Sequence, residues 1–307
     1  MAIPKVLFLL STLIFSGSLS AQSPYVLILG TAQDGGHPQA GCEKSCCKST
    51  YDNPQEKHWV SSIALVDPQT NDRWIFDATP DLTDQFHLLK TKTNDFSGNL
   101  NGFFLTHAHI GHYTGLMNLG HEAMGANAAP VYAMPKMSEF LKNNGPWSQL
   151  VNYKNIELKP LQNQQIIKLN ERISIQPFTV PHRDEFSETV GYRIMVDSKS
   201  LIFIPDIDKW SKWETSLNEL VKSVDYALLD GTFFADGEIP RPMSEVPHPF
   251  VTETMDLLKN LSVNDRKKVH FIHLNHTNPL LDKTSDSYKQ VLKNGFQIAE
   301  TGNVLEL

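Results

Sequence analysis

The sequence predicts an α/β chain built as an α/β/β/α sandwich, two β-sheets packed face to face with helices on their outer sides. Short apolar runs rich in β-formers alternate with segments of helical spacing along the chain. These runs fall into two groups, before and after about residue 160, each with its own interleaved helices. Of the 307 residues, 40% are apolar, enough for a sizeable core, and neither a solenoid-period repeat nor a low-complexity linker interrupts them.

Taken in order, Tyr25 to Leu29 is a strand that runs into the turn-rich loop Gly30-Thr31-Ala32-Gln33-Asp34-Gly35-Gly36-His37-Pro38. The double glycine there lacks the Lys-Ser/Thr ending of a phosphate loop. Ser61 to Val66 and Trp74 to Phe76 are two more strands, joined by a turn containing Pro68, Asn71 and Asp72, and a helix follows through Lys90. A helix is expected from Tyr113 to His121, a strand at Val131 to Met134 and a helix at Lys136 to Asn143. In the second group, Glu171 to Phe178, Val190 to Val196 and Leu201 to Ile204 are strands, and Trp213 to Ser223 has helical spacing. Tyr226 to Leu229 is a buried strand, Val251 to Leu261 a helix and Val269 to Ile272 a final strand. Pro240, Pro242, Pro247 and Pro249 mark an extended loop that could edge a site.

Residues 1–21 read as a secretory signal peptide. Lys5 precedes the apolar run Val6 to Phe15, and the small residues Ser16 to Ala21 follow. The run is too short for a stable membrane anchor. The expected product is one domain over residues 22–307, located in the periplasm or secreted. A net charge of -7 disfavours a nucleic-acid groove, but bound cations would still attract a small anionic substrate.

The residues richest in chemistry are Thr106-His107-Ala108-His109-Ile110-Gly111-His112, directly after the apolar run Gly102-Phe103-Phe104-Leu105. A strand ending at Leu105 delivers three imidazoles into one loop. His107 and His109 can face one ion, while His112 can reach a neighbouring one. Imidazole is the commonest protein metal ligand, and zinc takes it readily. Further candidates follow apolar runs in Val180-Pro181-His182, Phe203-Ile204-Pro205-Asp206 and Phe271-Ile272-His273. Cys42, Cys46 and Cys47 form a separate cluster. With a distant His it suits a structural zinc site; a Cys42 disulfide with one neighbour and free buried thiols are the other readings.

Four motifs in this order resemble the metallo-β-lactamase superfamily, whose signature is H-x-H-x-D-H. The resemblance spans residues 25 to 307, with Gly111 where the family has Asp. The opening Gly30 to Gln39 stretch, Asp230-Gly231-Thr232 and the closing His273-Leu274-Asn275-His276-Thr277-Asn278-Pro279 resemble one branch of it. That branch holds the pyrroloquinoline-quinone biosynthesis protein B and the cyclic-phosphate phosphodiesterase of phosphonate catabolism.

The resemblance implies a metallo-β-lactamase-like fold in which His107, His109 and His182 bind one metal, and His112 and His273 a second. Asp206 would bridge the two, and a metal-bound hydroxide would be the nucleophile. His248, in the proline-rich loop, resembles a proton donor. Asp77 and Asp81 follow a strand that ends near the same face, and either could replace the carboxylate missing at 111. Asp77 is the catalytic candidate of the two, with orientation of a ligand His as its simpler role. Asp230 is expected to be structural or to support a site residue from behind. Cys42, Cys46, Cys47 and His276 would form a Cys₃His site, although the spacing C-x-x-x-C-C departs from the family's C-x-C-x-x-C. The expected cofactors are one or two catalytic zinc ions and one structural zinc ion, with iron or manganese as substitutes.

The function this implies is an exported metal-dependent hydrolase of a phosphodiester or other small anionic ester. Its rivals are an oxygen-dependent iron enzyme like the quinone-biosynthesis protein, a β-lactam hydrolase and a non-catalytic metal-binding module. Gly111→Asp is expected to raise occupancy of the second metal. Oligomeric state is not legible in the sequence.

Overall fold

The computed structural model describes residues 23–98 and 100–307; the expected signal peptide lies outside them. Seven strands form the first sheet: β1 (Tyr25–Gly30), β2 (Ser62–Asp67), β3 (Asp72–Phe76), β4 (Gly102–Phe104), β5 (Ala129–Ala133), β6 (Ile156–Pro160) and, from far along the chain, β14 (Val304–Glu306). Their order is β14-β1-β2-β3-β4-β5-β6. The second sheet comprises β7 (Ile167–Lys168), β8 (Ile173–Thr179), β9 (Val190–Val196), β10 (Lys199–Ile204), β11 (Tyr226–Asp230), β12 (Val269–Ile272) and β13 (Gln297–Ile298), in the order β13-β12-β11-β10-β9-β8-β7. The division near residue 160 therefore holds except for β14, which returns to pair antiparallel with β1.

The helices are α1 (Ser45–Asp52), α2 (Leu82–Thr93), α3 (Ile110–Tyr113), α4 (Pro135–Asn143), α5 (Trp147–Asn152), α6 (Leu217–Lys222), α7 (Val251–Leu258), α8 (Val263–Arg266) and α9 (Asp286–Lys293), and all but α1 and α8 send side chains into the two outer cores. Strand side chains alternate between faces, so each central strand feeds two cores. Val26 and Ile28 of β1 meet Leu201 and Phe203 of β10 between the sheets. Leu27 and Leu29 instead pack outward with Leu82, Phe86 and Leu89 of α2, and Ile202 and Ile204 with Val251 and Leu258 of α7. Burial on both faces is why these strands read as continuous apolar runs rather than alternating ones.

Three helix expectations change. The segment expected as a helix from Tyr113 begins earlier, at Ile110 after the extended His109, and tightens to a 3-10 turn over Thr114–Leu119. Gly115 presses so close to the loop after β3 that an added Cβ would lie 2.1 Å from the Thr79 carbonyl oxygen. Trp213 is extended, and helix α6 starts only at Leu217, where the Ser216 side chain accepts from the Glu219 N–H. Helix α7 ends at Leu258, short of Leu261.

Strands β3, β4 and β5 run parallel, as do β10, β11 and β12; β8 shares the direction of β10 because both are antiparallel to β9. The carboxyl ends of the ligand-bearing strands in each sheet thus open on one edge, where α/β sheets bind ligands.

Candidate metal centre

Each expected ligand follows a strand end on that edge. His107 and His109 follow β4, His182 follows β8, Asp206 follows β10 and His273 follows β12, while His112 lies in the first turn after the β4 loop. Ligand atoms of His107, His109, His182 and Asp206 all lie within 4.8 Å of one another. Asp206 Oδ2 is 3.3 Å from His107 Nε2, 3.2 Å from His182 Nε2 and 3.9 Å from His109 Nδ1. It also stands 4.0 Å from His112 Nε2, so this carboxylate faces both halves of the centre.

The second half comprises His112, His273 and a carboxylate that sequence reading did not single out, Asp34. Asp34 Oδ1 lies 3.0 Å from His112 Nε2 and 3.5 Å from His273 Nε2. Neither Asp77 nor Asp81 fills the place at 111. Asp81 binds Lys57 Nζ and the Val60 N–H. Asp77 is fully buried behind His112, whose Nδ1 it holds at 2.7 Å. Its expected catalytic role is corrected accordingly: Asp77 is a positioning residue. A Cβ at 111 would lie 2.4 Å from Asp34 Oδ1, so the expected benefit of Gly111→Asp is corrected too. The space is taken, and the new side chain would collide with Asp34.

Hydrogen bonds fix the imidazole tautomers. Thr106 Oγ1 donates to Asp77 Oδ2 at 2.9 Å and therefore accepts from His107 Nδ1–H at 3.0 Å, leaving Nε2 with its lone pair. Asp77 accepts from His112 Nδ1–H; burial lowers the His112 pKa, but Asp77 and Asp34 prevail and raise it well above its ordinary value, so an ion at Nε2 takes the place of a proton. Thr232 Oγ1 donates to Asp230 Oδ1 at 2.7 Å and accepts from His273 Nδ1–H at 2.9 Å. His109 is turned the other way, with Nε2 toward Glu185 at the rim and Nδ1 inward. One close contact then sets lone pair against lone pair, His107 Nε2 with His109 Nδ1 at 2.8 Å, which a shared cation resolves; His112 Nε2 lies 3.3 Å from His273 Nε2.

Three buried atoms turned to the same region, Asp34 Oδ1, Asp206 Oδ1 and His182 Nε2, make no aligned hydrogen bond. Buried polar groups without partners are rare and call for an explanation such as an ion. The charge pattern agrees. Burial pushes the Asp206 carboxyl up, but His182 and His248 outweigh it and hold it well below the usual range. Burial also pushes Asp34 up, and His112 and His273 hold it well below. Burial and then His112 hold His107 well below its ordinary value, in the neutral form that binds metal. Donor set, tautomers and orphaned atoms all fit divalent metal. Two residues of the centre, Asp77 and His273, have left-handed backbone, with φ of 65° and 66°.

His248 lies in the proline-rich loop, which Phe233, Met243, Val246 and Phe250 anchor. Its Nδ1 is 3.1 Å from Asp206 Oδ1 and 2.9 Å from Asp230 Oδ2. Burial lowers its pKa, but Asp206 and Asp230 prevail and raise it to about 10. Asp230 also accepts from the Ile207 and Thr232 N–H groups, as its expected structural role requires.

A separate group brings Cys42, Cys46, Cys47 and His276 together, again with ligand atoms within 4.8 Å. All three cysteines are free, and Cys42 Sγ stands 3.8 Å from Cys46 Sγ, far beyond a disulfide bond. The unusual spacing works because Cys46 and Cys47 open helix α1, which turns both thiols toward Cys42. Burial and the neighbouring thiols push Cys47 up to about 12, against the lowering bond from the Gln39 N–H. A bound cation would reverse that.

Comparison with known proteins agrees with this architecture. A family described as "Beta-lactamase superfamily domain" matches residues 72–274. Coenzyme PQQ synthesis protein B of Pseudomonas putida is 25% identical over 311 residues, covering 92% of this chain and 100% of that protein. The namesake protein of Methylorubrum extorquens is 25% identical, with the same coverage. Zn(2+)-bound PqqB from Methylobacterium extorquens superposes with a TM-score of 0.77 at 22% identity, over 92% of this chain and 100% of that one. A diphosphatase from the PhnP family gives 0.65 at 21% identity, over 93% and 98%. At these identities the two structures speak to the fold.

Proposed function

The chain belongs to the β-lactamase superfamily, and on that premise we propose that it is a metal-dependent hydrolase of a phosphodiester or another small anionic ester. One observation carries this reading: two sets of inward-facing ligand atoms meet at a single buried carboxylate, Asp206. We assign His107, His109 and His182 to one ion, His112 and His273 to the other, and Asp206 to both, with zinc favoured by the imidazole-rich set and iron or manganese as substitutes. When bound, such a pair supplies positive charge for an anionic ester and acidifies water near neutral pH. Thr106, Asp77 and Thr232 hold the imidazoles in the tautomers that binding needs. His248, charged between Asp206 and Asp230, is assigned the proton given to the leaving oxygen. Cys42, Cys46, Cys47 and His276 are assigned a third, structural zinc.

Export, through residues 1–21, is part of the proposal. Among the described residues no helix is long and apolar enough to cross a membrane. The expected partner is a small anionic substrate rather than nucleic acid. The test is hydrolysis of a bis-aryl phosphate, a cyclic phosphate, a lactone and a thioester by the zinc-loaded protein, beside His109→Ala and elemental analysis. Turnover of one substrate that His109→Ala abolishes is the expected result; equal rates for both proteins would refute it. Similarity to Coenzyme PQQ synthesis protein B across 92% of the chain favours one second reading, an oxygen-dependent iron enzyme. That reading requires bound iron and O₂ consumption.

A further inference from the structure

We propose that Asp34 is the carboxylate ligand of the second metal, delivered from the loop after β1 into the space that Gly111 leaves open. The inference rests on the metal-dependent reading above and names a ligand it lacks. Asp34 Oδ1 is buried, makes no aligned hydrogen bond and lies 3.0 Å and 3.5 Å from the inward-facing Nε2 atoms of His112 and His273. These three residues form a ligand group of their own, within 4.8 Å.

Positions 34 and 111 exclude each other. A Cβ built on Gly111 would lie 2.4 Å from Asp34 Oδ1, 2.6 Å from its Cα and 3.0 Å from its Cγ. A side chain at 111 and the Asp34 carboxylate therefore compete for one volume, and this chain fills it from the loop. The loop is held firmly enough to do so. The Gln33 N–H donates to the Leu274 carbonyl at 2.8 Å and the Leu274 N–H to the Thr31 carbonyl at 2.7 Å. Ala32 bridges to both Val60 and Leu274. Asp34 thus rides on backbone zipped to the residue that follows His273, so carboxylate and imidazole arrive as one unit.

The test is metal binding by the full chain, read as zinc stoichiometry by elemental analysis and as affinity by Co²⁺ titration with its visible spectrum. The proteins are wild type, Asp34→Asn, Asp34→Gly and Gly111→Asp. Losing an outer partner of a ligand costs about 10–100-fold in affinity. Loss of a ligand should therefore weaken one site by about 100-fold or more in both Asp34 variants and leave the others intact. Gly111→Asp alone should not gain, because its Cβ would meet the Asp34 backbone at 2.6 Å. Asp34→Asn keeps the volume and answers the question if the glycine variant fails to fold. Wild-type stoichiometry and affinity in Asp34→Asn would overturn the proposal. If wild type holds no ion at His107, His109, His182 and Asp206, the functional reading falls with it; if that ion persists, the proposal fails alone.

Discussion

Asp77→Asn isolates the carboxylate behind the second half of the centre. Asp77 Oδ1 accepts from the Thr106 N–H at 2.8 Å, and Oδ2 from Thr106 Oγ1–H at 2.9 Å and His112 Nδ1–H at 2.7 Å. Asparagine tolerates the left-handed backbone that Asp77 adopts, so the change is one of hydrogen bonding alone. With its oxygen kept on the Thr106 N–H, its amide N–H₂ meets His112 Nδ1. His112 must then give up its Nδ1 proton and hold one at Nε2, the atom that faces Asp34 and His273, while Thr106 Oγ1 loses its acceptor and turns its proton toward His107 Nδ1. With the amide flipped, N–H₂ opposes the Thr106 N–H, and a buried donor goes unpaired at a cost of about 1–3 kcal/mol. The first arrangement should weaken zinc at the second site by about 10–100-fold, or about 1.4–2.8 kcal/mol. A competition titration against a zinc-binding dye reads the affinity, and ¹⁵N shifts of the imidazoles read the tautomer. Wild-type affinity with His112 still protonated at Nδ1 would refute the reasoning.

Three further expectations concern other parts of the fold. His248→Asn should lower kcat by about 10²–10⁴-fold at unchanged zinc content; a lost equivalent of zinc would make His248 a ligand instead. Tyr192→Phe removes the hydroxyl that donates to the Leu105 carbonyl ahead of the histidine loop, and denaturant unfolding should show a loss of about 1–3 kcal/mol. An unchanged unfolding midpoint would count against it. Burial lowers His270 from 6.5 to about 4. The unfolded chain therefore binds a proton that the folded chain refuses, and stability falls as the pH drops from 6.5 toward 4. His270→Gln should gain on wild type through that window, and a pH-independent difference would exclude this role.

The metal loop was legible because Phe103 and Phe104 announce a buried strand and three imidazoles follow at once. The sandwich was legible because strands buried on both faces, such as Leu201 to Ile204, leave an unmistakable apolar run. Asp34 was not legible. It is one carboxylate in a turn-rich loop, and only the collision with a Cβ at 111 pairs the two positions. A reader asking which acid replaces a missing ligand could have tried the loop after every strand, rather than only that after β3. Helix α1 was missed because its residues Ser45 to Asp52 carry little apolar periodicity, and β14 because three residues are too few to show a period. Trp213 misled because its ring packs on Phe178 from extended backbone rather than from a helix.

Pairing of β14 with β1 has a consequence for biosynthesis. Tyr25 aligns with Glu306, and the Leu307 N–H donates to the Pro24 carbonyl, so a strand among the first to leave the ribosome waits for residues made some 280 positions later. Until then β1 has only β2 beside it and exposes an unpaired edge, the feature most prone to join another chain. His273 belongs to the same late stretch, so a nascent chain holding His107, His109 and His112 has no complete second metal set. Capture of the second ion and closure of the first sheet therefore wait for the last part of the chain, and a chain stopped before residue 273 would have neither.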